Sequence, residues 1–482
     1  MCGLLAAMRY KNSMVKLFGT TMLLFVPLFF SGCIANLANS VGVDIGNSTQ
    51  SYAKFVAGDY KSSAQIAMKE KSKTAEVDDA NLLPTLQAAN SYLFAKEYRS
   101  SIELLDEAEA IIKFHHQKSI AGSAGDYLTG VMLNDAARDY QASISEAIMV
   151  NTYKALDYMA LGEFEKVRVE LNRAVDRVRR AKETYAELIG KQKEVIAQKK
   201  REQGSRAIDS TLNNQQVKSI ISQNYSSLGQ YAAYPEFVNP FTLYLAGLFF
   251  AIEGDYAKSS SLLKEVYGMM PHNKTVESDF EMVEYALEGR AVKERYVWVI
   301  YENGLGASKS EFKINVPIFL ASNKVIYTGI ALPRMKRGSG ASEAITVLSE
   351  GKTLSKTSVV GDMESVVLTE FNYSYNDILT RAILSAALKT YAQYEATRDN
   401  PYMGLAAAAF QLLTTHADTR SWNTLPKDFQ VTRVKIPSNN KLLLKTGVHN
   451  IDVELSKSAK HAIVYVKIPA ATSKPSVTVM EF

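Results

Sequence analysis

Cys33 carries the most reactive side-chain chemistry in this chain, because a thiolate is both a nucleophile and a metal ligand. Its only companion is Cys2, and the residues around it decide what the thiol is for. Arg9, Lys11 and Lys16 precede an apolar run from Leu17 to Phe30, and Ser31-Gly32 stand directly before the cysteine. Basic residues, an apolar stretch and small residues in that order are the parts of a secretion signal. The run is 14 residues long, and a membrane-spanning helix needs about 20, so cleavage fits better than a transmembrane span.

Small residues immediately before a cysteine, with large apolar residues upstream, resemble the lipobox of bacterial lipoproteins; Phe30 stands where that pattern prefers leucine. The resemblance implies removal of residues 1–32, a diacylglycerol thioether on Cys33 and an acylated amine, with palmitate as the expected acyl group. That is enough acyl chain for stable anchoring. Residues 33–48 then form the lipidated cysteine and its tether. No thiol remains for disulfides, thiol catalysis or cysteine metal sites. Ile34, a non-aspartate after the cysteine, is similar to the outer-membrane sorting signal, which implies the periplasmic face of the outer membrane. An ordinary signal peptide with an incidental cysteine shares the same leader features. Met1, Met8 and Met14 are all compatible starts.

A second constellation reads as serine acyl-transfer chemistry. Ser310-Glu-Phe-Lys313, Ser374-Tyr-Asn376 and Lys445-Thr-Gly447 occur in the order of the SxxK, SxN and KTG motifs of penicillin-binding proteins. That chemistry needs serine and lysine one helical turn apart on the same face. SEFKINVPIFL instead reads as a strand, on which positions i and i+3 face opposite ways. The catalytic reading is therefore set aside. Six histidines include the adjacent pair His115-His116, which cannot share a helical face, and no HExxH or His/Cys cluster occurs. Gly304-Leu-Gly306 and Gly338-Ser-Gly340 read as turns between strands, without the context of a phosphate loop. No cofactor, metal site or catalytic residue is expected.

Without its leader the chain carries 52 basic against 50 acidic residues, so no global charge favours nucleic acid. At 47% apolar residues it has a globular composition, and 482 residues suffice for two or three domains.

The elements around these residues fall into two kinds. One local pattern occurs four times, as FVAGDYKSSAQIA, LFAKEYRSSIELL, YMALGEFEKVRVEL and LFFAIEGDYAKSSSLL. Each is an apolar run, a turn with Gly or Lys, an acidic residue, an aromatic and an amphipathic stretch. Gly58, Gly162 and Gly254 can take the left-handed conformation that ends a first helix, while Tyr60, Tyr98, Phe164 and Tyr256 wedge between it and a second. This resembles the tetratricopeptide (TPR) repeat, which implies a helical-hairpin solenoid over 49–292. The turns lie 38, 66 and 92 residues apart where that repeat has about 34, so degenerate or inserted hairpins are expected in the gaps. A long helix near 163–203 carries an apolar stripe from Phe164 to Val195, read as a coiled-coil seam or a helix lying on the solenoid.

After Arg295 the apolar period becomes two. RYVWVIYENGLG, EFKINVPIFLA and KVIYTGIALP read as strands, DMESVVLTEF and SYNDILTRAILSAALKTYAQYEA as two helices, and LAAAAFQLLTTHA as another. The expectation is an α+β domain over 293–425 and a small β-sandwich domain over 426–482. FVNPFTLYLAGLFF, VWVIYENGLG and HADTRSWNTLP are similar to an uncharacterised family of proteobacterial TPR-containing lipoproteins, a resemblance that carries no reaction or ligand. The combined reading is an α+β multidomain, outer-membrane-anchored lipoprotein acting as a non-enzymatic scaffold, with a protein partner on the helical repeats. The alternatives are a regulator or enzyme of peptidoglycan synthesis and a structural subunit of an envelope-spanning machine, oligomerising along the Phe164 to Val195 seam.

Overall fold

The computed structural model describes residues 47–71, 81–121, 140–203, 210–211, 213–225, 239–290, 293–319, 325–413 and 415–482. The leader, Cys33 and the tether up to residue 46 lie outside the described residues, as do residues 122–139.

Helices come first, in antiparallel pairs: α1 (Asn47–Val56) with α2 (Tyr60–Glu70), α3 (Leu82–Phe94) with α4 (Tyr98–Ala121), α5 (Ile144–Ala160) with α6 (Phe164–Gln203), and α8 (Pro240–Ile252) with α9 (Tyr256–Met269). α7 (Gln215–Tyr225) lies between the third and fourth pairs, and α10 (Lys274–Leu287) follows the fourth. Every first helix ends the same way. Gly58, Lys96, Gly162, Gly254 and, after α10, Gly289 have φ between 64° and 81°. The next amide reaches back five residues: Asp59 N to Lys54 O, Glu97 N to Tyr92 O, Glu163 N to Tyr158 O, Asp255 N to Phe250 O and Arg290 N to Tyr285 O, at 2.8–3.1 Å. This closure satisfies carbonyls that a helix end leaves bare, and it needs a left-handed residue. The fifth turn lacks the aromatic that marks the others, and the chain leaves it for a strand.

Inserted hairpins do not account for the irregular spacing among the described residues. The second helices are long instead, 24 residues in α4 and 40 in α6, and α7 leaves the stack. Neither long helix meets a proline, so nothing stops it at repeat length. The apolar stripe of α6 is buried at Val167, Leu171, Ala174, Val178 and Ala181, so that half of the expected seam already faces its own chain.

The strands build three sheets. β1 (Tyr296–Asn303), β6 (Ser358–Gly361), β7 (Asp428–Lys435), β10 (His461–Ile468) and β11 (Ser476–Glu481) form one, ordered β11-β10-β1-β7-β6. β4 (Thr346–Ser349), β5 (Lys352–Lys356), β8 (Lys441–Lys445) and β9 (Asn450–Glu454) form the second, and β2 (Ser308–Phe319) with β3 (Val325–Lys336) a ribbon. A sandwich is present, but not the separate unit expected over 426–482. β1 pairs in parallel with β10 and antiparallel with β7, so strands from both sides of that boundary interleave. Residues Gly46–Phe482 form one compact unit, and a single core runs from Phe55 to Met480 across the boundaries expected at 292 and 425.

β1 explains the layering. Trp298 and Ile300 join the core shared with the helices, while Val297, Val299 and Tyr301 join the core shared with the four-stranded sheet. A strand covered on both faces is apolar throughout, and YVWVIY is. Each large apolar side chain buried this way contributes about 1.5–3 kcal/mol.

A further core joins the ribbon to α7 and to α11 (Met363–Asp399), through Val217, Tyr225, Val316, Ile330, Phe371, Tyr375 and Ile383. α11 is one helix where two are expected, because no proline or glycine separates Phe371 from Ser374. α12 (Pro401–Leu413) pairs with it, started by the Asn400 side chain accepting from Tyr402 N at 2.9 Å. The ribbon leaves the sandwich where the two glycine turns cross. A Cβ on Gly304 would lie 2.1 Å from Ser339 O, and one on Gly338 1.9 Å from Leu305 O.

Candidate functional site

The three motifs of the serine acyl-transfer reading are not brought together. Ser310 lies on β2 with its hydroxyl on Arg334 O, Ser374 is inside α11 bonded to its own helix, and Lys445 pairs with Thr346 and Asn450 in the four-stranded sheet. Among the described residues no His/Cys/Asp/Glu group has the arrangement of a metal site, and no helix is long and apolar enough to cross a membrane. Phe249, Phe250 and Tyr244 are fully buried, with the Tyr244 hydroxyl on Asp279 at 2.6 Å.

The turn residues do converge on something: the last strand of the sheet. At the first hairpin, Lys474 N donates to Ala57 O at 3.4 Å, Tyr60 OH donates to Lys474 O at 3.1 Å, and Ser473 Oγ donates to Val56 O. Gly58 is needed there twice over. Its φ is +79°, and an added Cβ would sit 2.5 Å from Lys474 O. At the second hairpin, Ser476 Oγ donates to Phe94 O at 2.7 Å and the Tyr98 hydroxyl meets Thr478 Oγ1 at 3.0 Å. At the third, Phe164 stacks on Phe482 with ring centroids 4.9 Å apart. Successive hairpins thus take residues 474, 478 and 482, an advance of four residues or about 13 Å of strand. Tyr256 of the fourth hairpin packs at the edge of the same core, and Gly162 and Gly254 have open space beside them. For those two the left-handed φ alone explains the glycine.

Beneath this line lies a buried ionic cluster. Lys467 of β10 and Glu302 of β1 are both fully buried and pair at 3.0 Å. Lys467 also donates to Gly304 O at 2.9 Å and lies 5.7 Å from the Phe55 and Phe94 ring centres. Glu302 accepts from Tyr153 at 3.0 Å and from Tyr465. Burial draws the Lys467 ammonium below the ordinary lysine range, opposed by the charge of Glu302. Burial, with that same charge adding, pushes the phenols of Tyr153 and Tyr465 well up. Three hairpins and two strands therefore meet on one ion pair, in which Lys467 reaches two oxygens and each Glu302 carboxylate oxygen accepts from a tyrosine. A cavity of about 10 Å³ beside it, lined by Phe94, Tyr98, Leu156, Tyr465, Thr478 and Met480, has room for about one water.

Sequence reasoning missed Glu302 and Lys467, although a signal existed: VWVIYEN and HAIVYVKIP each place one charge in an otherwise apolar strand, of opposite sign. A charge so placed needs a partner.

The fold and site together define a class: helical-hairpin repeats whose turn ends are seated on a β-sandwich of the same chain. No family model and no curated protein matches the chain. The solved structures that align with it include a point variant and its parent of a Podosopora anserina putative kinesin light chain with nearly identical TPR-like repeats. Both are 12% identical, cover 46% of this chain and 92% and 93% of their own, and give a TM-score of 0.21. The similarity to TPR-like repeats is weak, and at that score it carries no argument.

Proposed function

We propose that this protein is a non-enzymatic protein-binding scaffold of the bacterial envelope, held at the periplasmic face of the outer membrane by acyl chains on Cys33. The observation that carries the binding role is the way three hairpin ends engage an extended segment in a fixed register, through hydroxyls, main-chain atoms and a ring. Main-chain hydrogen bonds together with contacts to alternate side chains are how an extended peptide is held when it joins a sheet edge. The sealed Glu302–Lys467 pair supports a structural rather than a chemical use of the most polar buried cluster. The anchor rests on the leader and the lipobox resemblance.

Metabolic labelling with a fatty acid, followed by membrane fractionation, tests the anchor. Wild type takes up label and fractionates with the outer membrane, and Cys33→Ala does neither; label on the variant would remove the anchor reading. Crosslinking in cells tests the scaffold. A defined protein captured at stoichiometric yield is expected, whereas capture of cell-wall fragments alone would turn the reading toward peptidoglycan.

A further inference from the structure

Among the described residues three helices carry no Asp, Glu, Lys, Arg or His: α3, α8 and α12, each 13 residues long. α3 is buried at ten positions and α8 at twelve, so an uncharged helix is otherwise an interior helix in this chain. α12 departs from that rule. Gly404, Ala407 and Gln411 are buried, whereas Pro401, Tyr402, Leu405 and Ala409 are exposed. Of the described large apolar side chains, Tyr402 and Leu405 are the most exposed. Offsets of three and four put Tyr402, Leu405 and Ala409 on one face of the helix, and Gly404, Ala407 and Gln411 on the opposite one.

The inner face is fixed in place. A Cβ on Gly404 would collide with Thr397 of α11, and Gln411 Nε2 donates to Thr328 Oγ1 of β3. The outer face is therefore set by the fold, and its chemistry is unlike that of the other surface helices. Those turn charge toward water, as α2 does with Lys61 and Lys69 and α10 with Lys274, Glu277 and Glu281. From Asn400 to Thr415 there is no Asp, Glu, Lys, Arg or His at all. A protein interface has a polar rim and about one hydrogen bond per 100–200 Å². The outer face of α12 offers a single polar side-chain group, the Tyr402 hydroxyl. A bilayer asks for what is present: apolar side chains for the acyl chains, no charge, and a tyrosine, whose ring and hydroxyl suit the headgroup boundary. At about 1.5 Å per residue the helix is roughly 20 Å long, short of the roughly 30 Å of a hydrocarbon core, so it fits the plane of the boundary.

We propose that the outer face of α12 rests in the headgroup–acyl boundary of a phospholipid bilayer, with Tyr402 and Leu405 inserted and α11 and the ribbon behind them. An interfacial helix ordinarily turns a polar face to water; here the protein body takes the place of that face. So few apolar side chains bind a bilayer weakly and reversibly, and stable attachment takes a second signal. A lipid tether supplies one by holding the face at high effective concentration beside the bilayer. The two contacts together set which way the body faces, which a flexible tether alone leaves free. This deepens the reading of a membrane-held scaffold, and rests on that reading for the choice of a bilayer over another apolar occupant.

The test uses the full chain in cells, with Leu405 replaced by the photoreactive residue benzoylphenylalanine. A second chain carries the same residue at Val448, which is exposed on the turn between β8 and β9 and belongs to a different surface. After illumination the purified protein is digested and the adducts are identified by mass. The expected result is a phospholipid adduct at position 405, severalfold above that at 448, and lowered when Tyr402→Ser is added to the 405 chain. A covalent dimer or any other protein captured at 405 overturns the proposal, because a protein then covers the face. Equal phospholipid capture at 405 and 448 overturns it too, as does no phospholipid at 405. Fatty-acid labelling reads the anchor separately. A chain labelled at Cys33 that captures no phospholipid at 405 keeps its anchor and loses this surface, whereas capture at 405 without label on Cys33 leaves the surface standing and removes the acyl anchor.

Discussion

The sandwich and the ribbon each contain strands with an exposed edge, and they protect it differently. In the sandwich the edge strand β11 is met by the ends of other elements, which take the hydroxyls of Ser476 and Thr478. In the ribbon the protection is local. Pro317 and Pro333 each remove an amide, and their carbonyls accept the hydroxyls of Thr211 at 2.7 Å and Tyr225 at 2.6 Å. Proline at an edge blocks further pairing. The same contrast holds for charge and for apolar surface. The sandwich buries Glu302–Lys467 and Asp279–Arg433 as pairs, whereas beside the ribbon the α11–α12 hairpin leaves Tyr402 84% and Leu405 71% exposed. One region commits its polar groups to itself, while the other is closed against strands yet leaves side chains open.

Lys467→Met gives the largest expected effect, because it leaves the Glu302 carboxylate buried without its counter-charge. Removing one partner of a buried pair costs about 3–5 kcal/mol. Urea unfolding should show a loss of that size, and Lys467→Met with Glu302→Gln should recover much of it, since the double variant buries no charge. A single variant within about 1 kcal/mol of wild type would mean that the two regions do not differ in what their charges hold together.

A smaller effect, opposite in sign, is expected at Asp157. Its carboxyl is fully buried between α4 and α5, with Ser101 Oγ donating to Oδ2 at 2.7 Å. Burial raises it well above the ordinary carboxylate range, against that hydrogen bond. The folded state therefore holds a proton that the unfolded chain releases. The stability this group contributes is complete below the unfolded carboxylate value and is lost as pH rises toward the folded one, at about 1.4 kcal/mol per pH unit. Asp157→Asn keeps the shape and removes the titration. The variant should match wild type near pH 4 and exceed it at neutral pH, by on the order of 1 kcal/mol or more. Thermal unfolding at the two pH values checks this; a constant difference between the variants would place the proton elsewhere.

The sequence made local structure legible and distant pairing illegible, for physical reasons visible at particular residues. Gly58, Gly162 and Gly254 can be read because a helix end needs a left-handed residue at a fixed offset from an apolar run. Lys96 breaks the glycine rule at φ 64° and is still recognisable from its flanks. What the turns face is another matter. Tyr60 meets a carbonyl 414 residues away and Tyr98 a hydroxyl 380 away, and no periodicity reports such distances. Gly304 and Gly338 read as ordinary turns because a crossing of two backbones leaves no trace in either segment alone. The separate sandwich expected after residue 425 fails likewise, since the parallel pairing of β1 with β10 is invisible to a reading by hairpins.

The smallest expected effect bears on the other half of the comparison. Tyr402 and Leu405 lie one turn apart on α12, and neither is covered. Replacing both by serine removes little buried area, so stability should change by less than about 0.5 kcal/mol for each site. A larger loss in thermal unfolding would mean that α12 relies on these side chains for its own packing. If stability is unchanged while crosslinking of a partner falls, the ribbon core with its helical hairpin is an open contact surface and the sandwich is the frame that presents it. If stability and crosslinking are both unchanged, the partner does not touch Tyr402 and Leu405. The contrast between the two regions would then concern how each is built, with no bearing on where a partner binds.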